Sequence, residues 1–527
     1  MKFNFNFSQY CILFGIVLFM SSCEKDQLLE PVDQLNLENR SAATANGAKR
    51  IAFYGLSSAN EIVRFNTNST AADQGAVAIT GLEADEQIVA IDFRPATGQL
   101  YGVSGKSRIF AINPITGRAN LLTATPFSPG INGTLVGFDF NPTVDRIRLV
   151  TENEQNLRLN PETGLVVAID GNINPGDRNI TSAAYTNSFA GATTTTLYTI
   201  DFTESKLFKQ NPPNNGTQEE IGTLGIQETG QGGFDISPDN SVALVVINSG
   251  SDGQNTFGST GKKSNFYYIN LLTGKATLAG ITKRDIIGIA IPTNPIAYSV
   301  NPDNQLMIFN PQRLTSMVTK PITGLQSGEK VLGIDMRPAT GQLYALGSSN
   351  RIYTINMASG AATAVGTDPL SQSLNGSWFG FDFNPTVDRI RIVSNSGQNL
   401  RVHPVTGAVA FVDGALNPGS PKIDAAAYTQ NFAGATTTSL YVIDYQTDQL
   451  FIQSPPNNGT LNLVNALSVK VSNGNGFDIG GTSGAAMGIF TTADNTYLCS
   501  VNLSSGKIDV ISSFPDDVRG FTLGLGF

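Results

Sequence analysis

The sequence predicts an all-β fold, two tandem five-bladed β-propellers, on three observations. The phrase "GFDFNPTVDRIR" stands at residues 137–148 and returns, letter for letter, at 380–391. Inside each half, strand-like segments open alike at a spacing of about 40 to 50 residues, the signature of propeller blades. Only 14% of residues are charged, while glycine (54 residues), asparagine and threonine abound, which suits short strands and tight turns better than long helices. A single ten-bladed ring is the alternative, because the junction between the halves, Pro292 to Pro295, is short.

In chain order, residues 1–22 read as a targeting segment: Lys2, the apolar run "YCILFGIVLFM", then small residues before Cys23. The run is too short to span a bilayer as a helix. Its ending "FMSSC" resembles the lipobox of bacterial lipoprotein signal peptides, with Met20 where leucine is usual. That resemblance implies cleavage before Cys23, a diacylglycerol on its thiol, and attachment to a membrane. The expected address is the bacterial cell envelope, at the outer membrane or cell surface. Residues 23–50 are polar and without apolar periodicity, as a tether would be. Of three cysteines only Cys499 would remain free, so no disulfide framework is expected in the mature chain.

The two propellers are expected at residues 51–291 and 296–527. Asp335 matches Asp92, Asn399 matches Asn156 and Phe477 matches Phe234, all at an offset of 243. Later the offset falls to 232, between Lys275 and Lys507, because the loop "NSGSDGQNTFGSTGKK" is shortened in the second copy. In the first half the opening strands are "IVAIDF" from Ile88, "LVGFDF" from Leu135, "TSAAYT" from Thr181, "GGFDIS" from Gly232 and "IIGIAI" from Ile286. Each holds a small residue at its middle (Ala90, Gly137, Ala183, Gly233, Gly288), as strands crowding a central axis need. The segment after Ile51 looks like a blade lacking its first strand, so "IIGIAI" would complete it and close the ring. "GFTLGLGF" at 520–527 would do the same in the second half. Two or more cores are expected in a chain of 527 residues.

The long phrase, with "QNLR", "NPG", "AAYT", "FAGATTT" and "PPNNGT" in both halves, resembles the DUF4394 family, a domain of unknown function found in bacterial exported proteins. The resemblance covers nearly all of both halves. It implies that each half closes on itself, and it implies no particular chemistry.

The net charge of −9 and pI of about 4.8 argue against nucleic acid as a partner. Three opening strands per half carry aspartate two residues after the small residue: Asp92, Asp139 and Asp235, then Asp335, Asp382 and Asp478. Converging near an axis, they would either bind a hard cation such as calcium or lock blades together by accepting backbone N–H bonds. No cofactor is otherwise expected. "DRIRLV" and "NLRLN" place Arg146, Arg148, Asn156 and Arg158 on neighbouring strands, repeated as Arg389, Arg391, Asn399 and Arg401. These would hold a carboxylate or phosphate, or pair with Asp145 and the axial aspartates between blades. The one histidine, His403, has Asn160 as its counterpart in the other copy, which argues against a serine triad or a histidine zinc site. Trp378 stands where the first half has Leu135 and reads as blade packing before it reads as a sugar platform. The expectation is therefore a non-catalytic binding or interaction module for an envelope protein or glycan. The alternative is a carbohydrate-acting hydrolase or lyase using axial Asp and Arg residues.

Overall fold

Ten four-stranded antiparallel sheets account for every strand in the computed structural model, which describes residues 51–69, 73–226, 231–249 and 263–527. The signal segment, Cys23, the tether and the middle of the "NSGSDGQNTFGSTGKK" loop lie outside the described residues. Each sheet is a blade. The five inner strands of the first ring are Ile88–Phe93, Val136–Asn141, Ile180–Tyr185, Gly232–Ile236 and Ile286–Ala290. Each neighbours the next, and Ile286–Ala290 returns to Ile88–Phe93. The second ring closes the same way through Val331–Arg337, Phe379–Asn384, Ile423–Tyr428, Gly476–Ile479 and Gly520–Leu523.

Closure mixes early and late chain as expected. Ile286–Ala290 pairs antiparallel with Ala52–Ser57, and Gly520–Leu523 pairs with Ala297–Val300. Both latches lie within one half, so the chain makes two five-bladed rings and the ten-bladed alternative is overturned.

Burial falls from the axis outward for a simple reason: inner strands are covered by blades on both sides, and outer strands by one neighbour and water. Ile180–Tyr185 is buried throughout, whereas Val166–Ile169, an outermost strand, alternates half-buried and exposed. Apolar side chains on facing blades interleave, which gives ten separate clusters, one between each adjacent pair of blades. Burial of this kind stabilises by roughly 25 cal/mol per Å² of apolar surface.

The small residues at the axis answer a distance constraint. A Cβ on Gly233 would sit 2.6 Å from the backbone nitrogen of Ile289 on the next inner strand, and one on Gly137 2.9 Å from that of Ala183. Asp145 and its copy Asp388 end the tight turn of the long phrase at φ 51°, the left-handed region that aspartate tolerates better than most residues.

The two rings belong to one compact unit and meet through the "RPATGQ" turn. Arg94, fully buried, donates from Nε to Asp145 at 2.9 Å and from Nη2 to the same carboxylate at 2.5 Å. It also donates from Nη1 to the Gly341 carbonyl of the second ring at 3.2 Å. The Tyr298 hydroxyl donates to the Ala96 carbonyl at 2.8 Å, and Gln342 donates to Glu162 at 2.9 Å.

Candidate functional site

The opening strands bring the predicted aspartates together at both axes. Carboxylate oxygens of Asp92, Asp139 and Asp235 lie within 4.8 Å of one another, and those of Asp335, Asp382 and Asp478 do the same. All six residues are buried. They also bind the next blade. Asp92 accepts the Phe140 N–H at 3.0 Å, Asp139 the Tyr185 N–H at 3.1 Å, and Asp235 the Ile291 N–H at 2.5 Å. In the second ring Asp335 accepts from Phe383 at 2.8 Å, Asp382 from Tyr428 at 3.0 Å, and Asp478 from Leu523 at 2.6 Å.

Three buried carboxylates this close do not all ionise without a compensating cation. Burial first, then the neighbouring aspartates, pushes Asp92, Asp139, Asp335 and Asp382 well above the carboxylate range. Burial raises Asp235 and Asp478 to about 7. Beside these carboxylates the rings differ. Thr522 stands where the first ring has Ala290, and its hydroxyl lies 2.9 Å from Asp335 and 3.1 Å from Asp478. A hydroxyl carries one proton, so a group serving both oxygens as hydrogen-bond partner needs one of the two carboxyls protonated. The triads can share protons or hold a hard cation; both neutralise the same buried charge.

The arginine phrase resolves differently from its expected pairing. Arg148 lies directly across the ladder from Asp139, yet it pairs with neither Asp145 nor an axial aspartate. It donates to Asp170 at 2.6 Å, to Asn156 at 2.7 Å, to Asn214 of the next blade at 2.7 Å and to the Tyr185 hydroxyl at 3.3 Å. Arg158 forks onto Asp170 at 2.8 and 2.9 Å. The second ring repeats each contact: Arg391 reaches Asp413, Asn399, Asn457 and Tyr428, and Arg401 forks onto Asp413. Arg146 and Arg389 stand apart, donating to the carbonyls of Asp145 and Asp388. Asp145 itself belongs to Arg94.

Asp170, Asp413, Asn214 and Asn457 are the partners that sequence reasoning missed. A signal existed, since each is preserved at the offset of 243 and the asparagines lie inside "PPNNGT". What the strand pattern did not convey is that this turn, Pro213–Asn215, folds back over the neighbouring blade. Cys499 is buried, and burial pushes its thiol up to about 12, far from a nucleophile's range. His403 accepts the Val405 N–H at Nδ1 in a surface turn. Trp378 is half-buried beside Arg519, whose guanidinium lies 4.3 Å from the ring centroid.

Comparison with known families finds a match in each half. The model of DUF4394, described as a domain of unknown function, matches residues 61–290 and again 305–522. No curated protein matches the chain.

Proposed function

The chain belongs to the DUF4394 family, twice over, and on that premise we propose that it is a non-catalytic binding or interaction module, exported and held at the bacterial cell envelope by a lipid on Cys23, with an envelope protein or glycan as its partner. One observation carries this reading. The axial aspartates and the buried arginines of the long phrase are engaged inside the rings in the same way in both copies: each axial aspartate takes an N–H of the next blade, and Arg148 and Arg391 each donate to four partners. Such repetition is what a fold-holding role requires of a repeat.

A hydrolase working through the axial carboxylates is less well supported. Glycoside hydrolysis needs two carboxylates flanking a sugar at about 5 to 9.5 Å with room for substrate between them. The aspartates are sealed, and the space at the first ring's axis, about 20 Å³, admits roughly one water. Calcium at the triads is a second reading, favoured by the convergence of three carboxylates in each ring. It would serve the same end, neutralising and fastening the axis.

The test is thermal unfolding of the mature protein with calcium, with EDTA and across envelope glycans and proteins, beside mass spectrometry of its N-terminus. A ligand at about 100 times its dissociation constant adds roughly 2.7 kcal/mol. A shift with a glycan or protein and an acylated Cys23 are the expected results. Turnover of a glycan lost in Asp139→Asn would overturn the non-catalytic reading, and an unmodified start elsewhere would overturn the anchor.

A further inference from the structure

The two rings diverge together at one place. Where the first ring has Leu135, Thr181, Gly232 and Ile287, the second has Trp378, Asp424, Asn475 and Arg519. Three of the four, Asp424, Asn475 and Arg519, line the funnel that leads into the second axis from the end where the inner strands begin. Trp378 borders it beside Gly474. A mouth that is largely apolar in one copy is polar and aromatic in the other.

Asp424 and Arg519 are held in place and not used up. Asp424, 2% exposed, takes three donors on one oxygen: the N–H groups of Gly474 and Asn475 at 3.0 and 3.2 Å and the Asn475 side chain at 2.9 Å. Its other oxygen is buried without a partner. Asn475 is fixed in turn by the Ser472 carbonyl and the Thr491 N–H. Arg519 lies on the Trp378 indole and, among the described residues, makes no side-chain hydrogen bond or ion pair. Burial lowers its pKa, and Asp517 is the carboxylate whose charge reaches it. A half-buried guanidinium with no carboxylate in hydrogen-bond contact is costly unless something supplies one. Burial also raises Asp424 to about 8, so near neutral pH its free oxygen is a source of protons more than of charge. Arg519 and the protonated Asp424 both want an acceptor carrying negative charge.

We propose that the mouth of the second ring's axis is a binding site for a single carboxylate, carried by an acidic sugar, with Arg519 as its cationic partner on the Trp378 shelf and Asp424 as a hydrogen-bonding neighbour. The site rests on the binding-module reading and names its ligand class. The narrow end of the funnel has room for about one water, so the oxyanion enters and the sugar body stays outside against the indole. The chain's net charge of −9 disfavours polyanions, which selects a singly charged group over a phosphorylated one.

Trp378 is the only tryptophan of the chain, so its emission reports on this site alone. The experiment titrates the full mature protein in detergent with glucuronate, glucose and inorganic phosphate. A saturable change with glucuronate, at least tenfold weaker with phosphate and absent with glucose, is expected. Arg519→Ile and Asp424→Thr each copy a residue the first ring already carries at that position, so both are expected to fold, and Arg519→Ile should weaken the response at least tenfold. Arg519→Lys keeps the charge without the fork and should retain part of it. An equal response to glucose, a stronger one to phosphate, or an undiminished one in folded Arg519→Ile overturns the proposal. So does silence with glucuronate, and if another ligand still shifts the melting temperature, the binding-module reading survives that loss.

Discussion

Six aspartates that lie far apart in the chain meet in two groups of three, and their protonation ties stability to pH. In the unfolded chain each titrates near 3.9; in the rings Asp235 and Asp478 stand at about 7 and the other four higher than the ordinary range. The folded state therefore holds more protons than the unfolded one. The triads' contribution is complete below the unfolded value and is lost as pH rises through about 7 and beyond. Melting temperature should fall between pH 6 and pH 9. In the double variant Asp139→Asn with Asp382→Asn the fall should shrink, because an amide oxygen still accepts the Tyr185 and Tyr428 N–H without a charge. The matching alanine changes leave those N–H groups buried and unpaired, at about 1–3 kcal/mol in each ring across the whole range. A flat profile in the unaltered protein would show that a cation, not protons, neutralises the axis.

At the scale of the strand, the fold turns on how closely inner strands approach. Alanine already occupies the crowded position at Ala90 and Ala183, so the constraint is local to each blade. Gly288→Ala would place its methyl no nearer than 3.6 Å to a neighbour and should change stability little. Gly233→Ala meets backbone at 2.6 Å and should cost about 1–3 kcal/mol, read as a lower urea midpoint with an unchanged slope. Equal effects of the two changes would mean that the inner strands shift apart freely. The alternation of small and apolar residues made these strands legible in the sequence. The landing points of the arginines were not, because Arg148 reaches Asn214 across 66 residues, through a turn whose path depends on blade packing.

For the molecule as a whole, identical sequence acquires different roles. Arg94 and Arg337 open the same "RPATGQLY" segment, and each forks onto the aspartate of a matching turn. Arg94 is sealed at the junction of the rings, while the Arg337–Asp388 pair is partly exposed, with side chains 12% and 36% accessible. Arg94→Met leaves Asp145 buried without its cation and should destabilise by about 3–5 kcal/mol. Arg337→Met removes a partly solvated pair and should cost about 1 kcal/mol or less. Calorimetry of the first variant should separate one melting transition into two as the rings uncouple. A single sharp transition at the original temperature would remove Arg94 from the interface's support.

The duplication, the blade period and the small residues at each axis were readable from the residues alone, since each follows from local alternation, turn chemistry or repetition at a fixed offset, whereas the choice between two rings and one was decided by the latches that close each half on itself. Packing decided the rest. Which carboxyls share a charge, which groups the arginines reach, and which of two copies carries an unpaired cation at its mouth depend on contacts between blades and between rings. Residues 46 and 66 positions apart make such contacts between blades, residues 180 to 247 apart make those between rings, and a pattern that specifies each strand's faces does not specify what the neighbouring blade will place opposite them.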